Sequence, residues 1–307
     1  MMDRRLLVGV SLVIAVAFVT DLFGLRQARQ SGGPDAFDVQ WIHGSEDCGE
    51  DQAPPVQAYR FNDSTWILRQ NKCVHYEAPF IYLLLGDERA LMQDTGAVAG
   101  SDVIRKAVDG IIERWQEARG GGLVELVVSH SHGHGDHVAG DGQFEDRANT
   151  VVVGNNVDAV QTVFGISDWP RGNAEFDLGG RVLDILAIPG HHESHVAIYD
   201  RQTEILMTGD TLYPGRLYVW DWSAYRDSIS RLVEFTRSRR VSHVLGTHIE
   251  MSNQPGIDYP VRTRYQPDEH PLELRLSHLV ELHEALVSIG AEPLREVHDS
   301  FIIVPRQ

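Results

Sequence analysis

The segment 131–137, with the sequence SHGHGDH, constrains the fold of this chain more than any other feature. It places three imidazoles and one carboxylate within six residues, separated by two glycines. Imidazole nitrogens and carboxylate oxygens are the donors that Zn²⁺ and similar divalent ions prefer. The segment directly follows the apolar, β-rich run 123–129. It is therefore interpreted as a ligand-bearing turn at the end of a strand, and not as a disordered His-rich tract.

The spacing within this segment predicts two ions. Side chains two residues apart in an extended or turning segment point the same way, so His132, His134 and Asp136 can converge. His137 then points elsewhere and faces a second ion. The segment therefore predicts a folded site for two neighbouring metal ions.

Three later positions repeat the same arrangement of a strand-like run, a turn and a ligand-type residue. His191 follows a Pro-Gly pair, Asp210 follows a glycine, and His248 follows Gly-Thr. Each turn exposes the next side chain at the end of a strand. If these ends lie on one side of a sheet, their ligands complete a single site.

Together these motifs resemble those of the metallo-β-lactamase-fold hydrolases, over roughly residues 80–250. The run from His132 to His137 matches the signature motif of that superfamily, and the later motifs follow in the expected order. Segment 93–97, QDTGA, is similar to its early Asp-Thr-Gly turn. Asp94 in this turn is expected either to hydrogen-bond a metal ligand or only to stabilise the turn.

The resemblance implies how the ligands are shared between two divalent cations, with Zn²⁺ as the expected metal. It implies two sets, His132, His134 and His191 for one ion and Asp136, His137 and His248 for the other. The carboxylate of Asp210 would bridge them, since two cations about 3.5–4 Å apart need an anion between them. An Asp bridge is closer to the glyoxalase II and lactonase-like branches than to true β-lactamases.

The implied activity is that of a dinuclear metal-dependent hydrolase. A metal-bridging hydroxide would attack an ester, thioester, lactone or lactam bond of a small molecule. Asp136 would orient this hydroxide or pass its proton to the leaving group. Tyr213, three residues after the bridging Asp210 as in related lactonases, is expected to reach the substrate carbonyl or to form only the pocket wall. His195 is expected to line the pocket.

Two alternatives of different kinds remain at this stage. One is β-lactamase activity, which an exported protein would suit. The other is a protein that does not hydrolyse its ligand, either a mononuclear iron oxygenase of the persulfide type or a metal-binding protein without turnover. The oxygenase would use fewer of these ligands, because it holds a single iron.

The charge of the chain argues against a nucleic-acid partner. The formal net charge is −17, and no basic stripe interrupts the acidic composition. Affinity for a polyphosphate backbone comes largely from Lys and Arg contacts. A neutral or weakly charged small-molecule substrate is the expected partner, and the sequence does not indicate an oligomeric state.

The first 25 residues predict export. Two arginines precede the uncharged, mostly apolar run 6–19, which is shorter than the roughly 20 residues that span a bilayer. A signal peptide with a small-x-small site at 15–17 is favoured, and an uncleaved membrane anchor is the alternative. A periplasmic or extracellular location follows, with membrane attachment in the second case. In that location Cys48 and Cys73 are expected to form a disulfide.

Strands and helices alternate along the chain, which is typical of an α/β protein. With the resemblance, this predicts a four-layer αββα sandwich, in which helices flank two mixed β-sheets. The expected organisation is the targeting segment 1–25, a linker and irregular segment 26–60, and one hydrolase domain 61–307. Loops 165–180, 211–221 and 249–268 are expected to shape the substrate pocket.

Overall fold

The computed structural model describes residues 37–306. The targeting segment predicted for residues 1–25, and the first part of the expected linker, lie outside the described residues. Within residues 37–306, no helix combines the length and apolar character needed to cross a membrane.

Six strands form the first sheet in the order of the chain. They are β1 (Val56–Asn62), β2 (Thr65–Gln70), β3 (Phe80–Leu85), β4 (Arg89–Gln93), β5 (Glu125–Ser129) and β6 (Thr150–Val152). The first four strands pair antiparallel, whereas β5 and β6 are added in parallel. A parallel join requires a crossover, which helix α1 (Val103–Ala118) supplies between β4 and β5.

The second sheet is also mixed, and a small third sheet lies beyond it. The remaining strands are β7 (Asn173–Asp177), β8 (Val182–Ala187), β9 (Val196–Asp200), β10 (Ile205–Gly209), β11 (Arg216–Val219), β12 (His243–Gly246), β13 (Glu273–Leu274), β14 (Glu296–Val297) and β15 (Ile302–Pro305). The second sheet has the order β13-β12-β10-β9-β8-β7, with β10 and β12 parallel, and the third has the order β11-β15-β14. The remaining helices are α2 (Gly135–Val138), α3 (Val157–Phe164), α4 (Trp222–Thr236) and α5 (Leu276–Ile289).

The buried side chains show how the layers are stacked. Successive residues of a strand face opposite sides of its sheet. In β10, Ile205 and Met207 pack between the two sheets against residues such as Leu91, while Leu206 packs against α4 and α5. On the other side of the first sheet, α1 buries Ile104 and further apolar side chains against the strands. The order helix, sheet, sheet, helix confirms the predicted αββα sandwich.

Three strands lie where the sequence predicted irregular chain. β1 begins at Val56, within the expected segment 26–60. β7 and β11 lie within the expected loops 165–180 and 211–221. β7 is an edge strand whose polar residues face solvent, and only Ala174 and Phe176 turn inward. Its low apolar content hid the strand, although the alternation was present.

The predicted disulfide between Cys48 and Cys73 is confirmed, with the two Cα atoms 5.1 Å apart. It joins residues separated by 25 positions, a loop whose closure is worth about 3 kcal/mol in the chain-entropy model. The bridge anchors the turn after β2, which leads to Glu77 at the site described next.

Candidate metal centre

All seven predicted ligands follow the ends of four strands, and the fold brings these ends together. The ligands follow β5, β8, β10 and β12, and each lies within eight residues of the strand end. The ligands form two groups. Each residue of a group offers one ligand atom, and these atoms lie within 4.8 Å of one another. The groups are His132, His134 and His191, and Asp136, His137, Asp210 and His248.

Asp210 lies between the two groups and faces both. Its Oδ2 is 3.5 Å from Nε2 of His191 and 3.9 Å from Nε2 of His132. Its Oδ1 is 3.4 Å from Nε2 of His248 and 3.6 Å from Nε2 of His137. One carboxylate oxygen is thus directed at each group, as a bridging ligand requires.

The ring nitrogens of the first group form a triangle. Nδ1 of His134 lies 2.8 Å from Nε2 of His132 and 3.0 Å from Nε2 of His191, and the latter two atoms are 3.2 Å apart. Each neutral imidazole has one N–H and one lone pair. Three converging nitrogens therefore suit a shared cation, because all three lone pairs can then point inward.

Four of the histidines are fixed by contacts to the ring nitrogen that faces away from the centre. The partners of Nδ1 are Ser131 Oγ for His132 (3.1 Å), Asp94 Oδ2 for His137 (2.9 Å), the Tyr218 carbonyl for His191 (2.7 Å) and the Glu77 carbonyl for His248 (3.1 Å). Histidines that bind a metal characteristically make such contacts, because these set the tautomer and leave Nε2 free to coordinate. The donor set and its supports both fit a pair of divalent cations.

The electrostatics of the two groups differ. Burial lowers the pKa of His132 well below its ordinary value and that of His191 to about 4, so both rings are neutral donors. Burial also acts to lower the pKa of His248, but the Asp210 and Asp136 carboxylates outweigh it and raise the pKa to about 9. In the second group, protonated imidazole therefore balances the ionised carboxylates. A divalent cation would displace the imidazole protons on binding.

Asp94 is buried at the turn after β4 and links the signature motif to the first sheet. Its Oδ1 accepts the Ser131 amide at 2.6 Å, and its Oδ2 lies 2.9 Å from Nδ1 of His137. Its φ of +72° is in the left-handed region, which Asp tolerates better than most residues. The contact with His137 favours the first of the two expected roles, that of holding a ligand.

Replacing Asp94 with asparagine is expected to weaken metal binding at the second group by about 10- to 100-fold. The amide oxygen of the new side chain can still accept the bond from Ser131, but its NH₂ cannot accept a bond from Nδ1 of His137. A zinc titration with a chromophoric competitor measures both affinities. Asp141→Asn is the matched control, because Asp141 pairs with His130 outside both groups. Equal affinities in Asp94→Asn and the parent protein would contradict this role.

The structure places His195 behind the cavity and Tyr213 in the cavity wall. His195 is fully buried, its Nδ1 lies 3.2 Å from Thr211 Oγ1, and its ring packs 4.7 Å from that of His132. It therefore lies behind the first group and does not line the cavity. The hydroxyl of Tyr213 donates to the Arg216 carbonyl at 2.5 Å. Of the two places expected for Tyr213, the structure supports the pocket wall.

The cavity at the centre has a volume of about 160 Å³. It is lined by Glu77, His134, Asp136, His191, Asp210, Tyr213, Tyr218, Trp220, His248, Glu250 and Arg306. Tyr218, Trp220 and Glu250 lie in the segments 211–221 and 249–268, which were expected to shape the pocket, although the sequence did not single them out. The sequence prediction missed Glu77 and Arg306, and neither position carried a local signal.

The chain is similar in sequence to proteins of one superfamily. A protein-family model described as "Metallo-beta-lactamase superfamily" matches residues 77–243, and His248 lies just beyond the matched range. A hydroxyacylglutathione hydrolase of Rhizobium meliloti is 30% identical over 120 residues, which are 38% of this chain and 46% of that protein. An acyl-coenzyme A thioesterase of Gallus gallus is 27% identical over 205 residues, 56% of this chain and 72% of that protein.

Solved structures give a weaker comparison. The metallo-beta-lactamase from Pontibacter korlensis aligns with a TM-score of 0.49 and 16% identity, over 76% of this chain and 99% of that one. The chain spans about half the length of two hydroxyacylglutathione hydrolases that it matches.

Proposed function

The chain belongs to the metallo-beta-lactamase superfamily, and from this premise we propose that it is a dinuclear metal-dependent hydrolase. Its substrate would be a small molecule with an ester, thioester, lactone or lactam bond. The observation that carries the proposal is the position of Asp210, with one oxygen directed at each ligand group. Zn²⁺ is the proposed metal, because imidazole and carboxylate donors suit it.

The residues around the cavity support attack by water. When bound, the cation pair would polarise a carbonyl group and make water a nucleophile at neutral pH. Among the described residues that line the cavity there is no serine, threonine or cysteine, so no side chain of these types offers a covalent nucleophile there. Burial opposes ionisation of Asp136, but His137 and His248 hold its pKa well below the usual range. As a carboxylate, Asp136 can accept a hydrogen bond from the attacking water and orient it.

The second ligand group distinguishes this proposal from the alternatives. A mononuclear oxygenase or a single-ion binding protein would need only one group, whereas Asp136, His137 and His248 form another beside the same cavity. Two of the relatives are named as a hydrolase and a thioesterase. We therefore place thioesters and esters ahead of β-lactams as substrates.

Metal analysis and a substrate screen test the proposal together. We expect two zinc equivalents per chain after reconstitution, and zinc-dependent hydrolysis of chromogenic thioesters or esters. Chelation should abolish the activity and added zinc should restore it, with the chelated protein as the control. Hydrolysis of nitrocefin alone would shift the assignment to β-lactams. One iron per chain without any hydrolysis would overturn the proposal.

We also propose that the protein is exported. The Cys48–Cys73 disulfide supports this location, because disulfides persist mainly in oxidising compartments.

A further inference from the structure

One wall of the cavity is built by the small third sheet. Strand β11 pairs in parallel with β15, with Tyr218 opposite Val304 and Val219 opposite Pro305. The Arg306 amide continues the pairing by donating to the Val219 carbonyl at 2.8 Å. Since alternate residues of a strand share a face, the register brings Arg306 to the same side of the sheet as Tyr218 and Trp220. All three line the cavity.

Arg306 differs from the neighbouring Arg216 in its partners. Arg216 is neutralised by Glu250 and Asp258, each at 2.6 Å. Arg306 stacks on the ring of Tyr218, with its Cζ 4.1 Å from the ring centroid. No acidic side chain within residues 37–306 lies at ion-pair distance from its guanidinium. In a chain of net charge −17, this cation is available to a ligand.

We propose that Arg306, supported by Tyr218 and Trp220, binds a carboxylate of the substrate while the scissile carbonyl lies at the ligand groups. This inference rests on the proposed function and names its substrate class, a short acyl compound with a second, anionic end. A guanidinium presents a planar fork of N–H donors that matches a carboxylate. Stacking on Tyr218 holds that fork in one orientation.

The surroundings favour a carboxylate over a phosphate. Glu77 also lines the cavity, and its charge disfavours a dianion beside a single arginine. Arg306 and Asp210 line the same cavity, whose volume of about 160 Å³ suits a short group. Trp220 is 58% exposed, so its ring can cover the apolar stem of a ligand that enters from solvent.

A binding experiment tests the proposal without turnover. Glutarate and its monoamide have the same shape and differ only in the charge of one end. Calorimetry on the zinc-loaded protein should show that glutarate binds about 10- to 100-fold more tightly than the monoamide, the range for a hydrogen-bonded charge. In Arg306→Gln this preference should disappear while the affinity for the monoamide is unchanged. A preference that persists in Arg306→Gln overturns the proposal.

Arg240→Gln is the matched control, because the Arg240 side chain is 87% exposed and lies outside the cavity. It should keep the full preference for glutarate, and an equal loss in both variants would also overturn the assignment. Kinetics are measured with two substrates, the glutaryl thioester and the same thioester with an amide in place of its terminal carboxylate. In Arg306→Gln, only the thioester with the free carboxylate should show a raised KM. If neither thioester is hydrolysed, the assignment of short acyl thioesters as substrates fails, whereas the binding comparison still decides the role of Arg306.

Discussion

Replacing His132 and His134 together with alanine is expected to lower the rate of hydrolysis by at least about 1000-fold, or about 4 kcal/mol. These residues supply two of the three converging nitrogens of the first group and leave only His191. His191 and one oxygen of the bridging Asp210 are too few ligands to hold a divalent ion against water, and the lost cation is worth several kcal/mol to the reaction. Turnover and zinc content are measured on the same preparation, and the zinc content should fall from two equivalents per chain to one or fewer.

His283→Ala is the control for this double variant, because His283 lies on α5 and belongs to neither ligand group. It should keep two zinc equivalents and the parent rate. A near-ultraviolet circular dichroism spectrum separates loss of the metal from loss of the fold. If the double variant is folded and still hydrolyses its substrate at the parent rate, the assignment of the first group is wrong.

The ligands could be predicted from the sequence because each one carries a local signal. His191 follows a Pro-Gly turn after an apolar run, and Asp210 follows a glycine at the end of β10. A strand end followed by a turn and a donor residue can be recognised from a few neighbours. The convergence of four such ends at one edge follows from the fold, which the family resemblance supplied.

The roles of His195 and Tyr213 could not be predicted in the same way, because they depend on distant contacts. His195 lies close to His191 in sequence, yet its ring packs behind His132. The absence of a side chain at Gly209 leaves the space for this ring, because a Cβ on residue 209 would lie 2.4 Å from it. The Tyr213 hydroxyl is turned aside by the Arg216 carbonyl and by Glu250, 3.2 Å away. The direction of a side chain at a turn is set by such partners, and no spacing rule encodes it.

The contacts that join the two sheets were equally hidden. Arg181 lies between the expected loop 165–180 and β8, at a position for which the sequence gave no expectation, and its side chain is 1% exposed. Its guanidinium pairs with Asp200 of the second sheet at 2.6 Å, and it donates to the Ser64 and Leu85 carbonyls of the first. A buried charge is costly unless it is fully paired, so this arginine is a structural clamp between the sheets.

Replacing Arg181 with methionine is expected to lower the free energy of unfolding by about 3–5 kcal/mol. The variant keeps most of the apolar volume but leaves the Asp200 carboxylate buried without its cation, and two carbonyls lose a donor. Urea unfolding monitored by fluorescence measures the change. Zinc affinity should stay near that of the parent, because Arg181 precedes β8 whereas His191 follows its other end.

The double variant Arg181→Met/Asp200→Leu separates the unpaired charge from the lost contacts. Removing both members of a buried pair is far less costly than removing one, so the double variant should be more stable than Arg181→Met. Arg237→Met is the control, because its pair with Glu234 is about 70% exposed at the end of α4 and should change stability by less than about 1 kcal/mol. If Arg181→Met lowers the free energy of unfolding by no more than Arg237→Met does, the contacts of Arg181 contribute little to stability. A double variant less stable than the single one would show that the lost contacts, and not the unpaired charge, dominate.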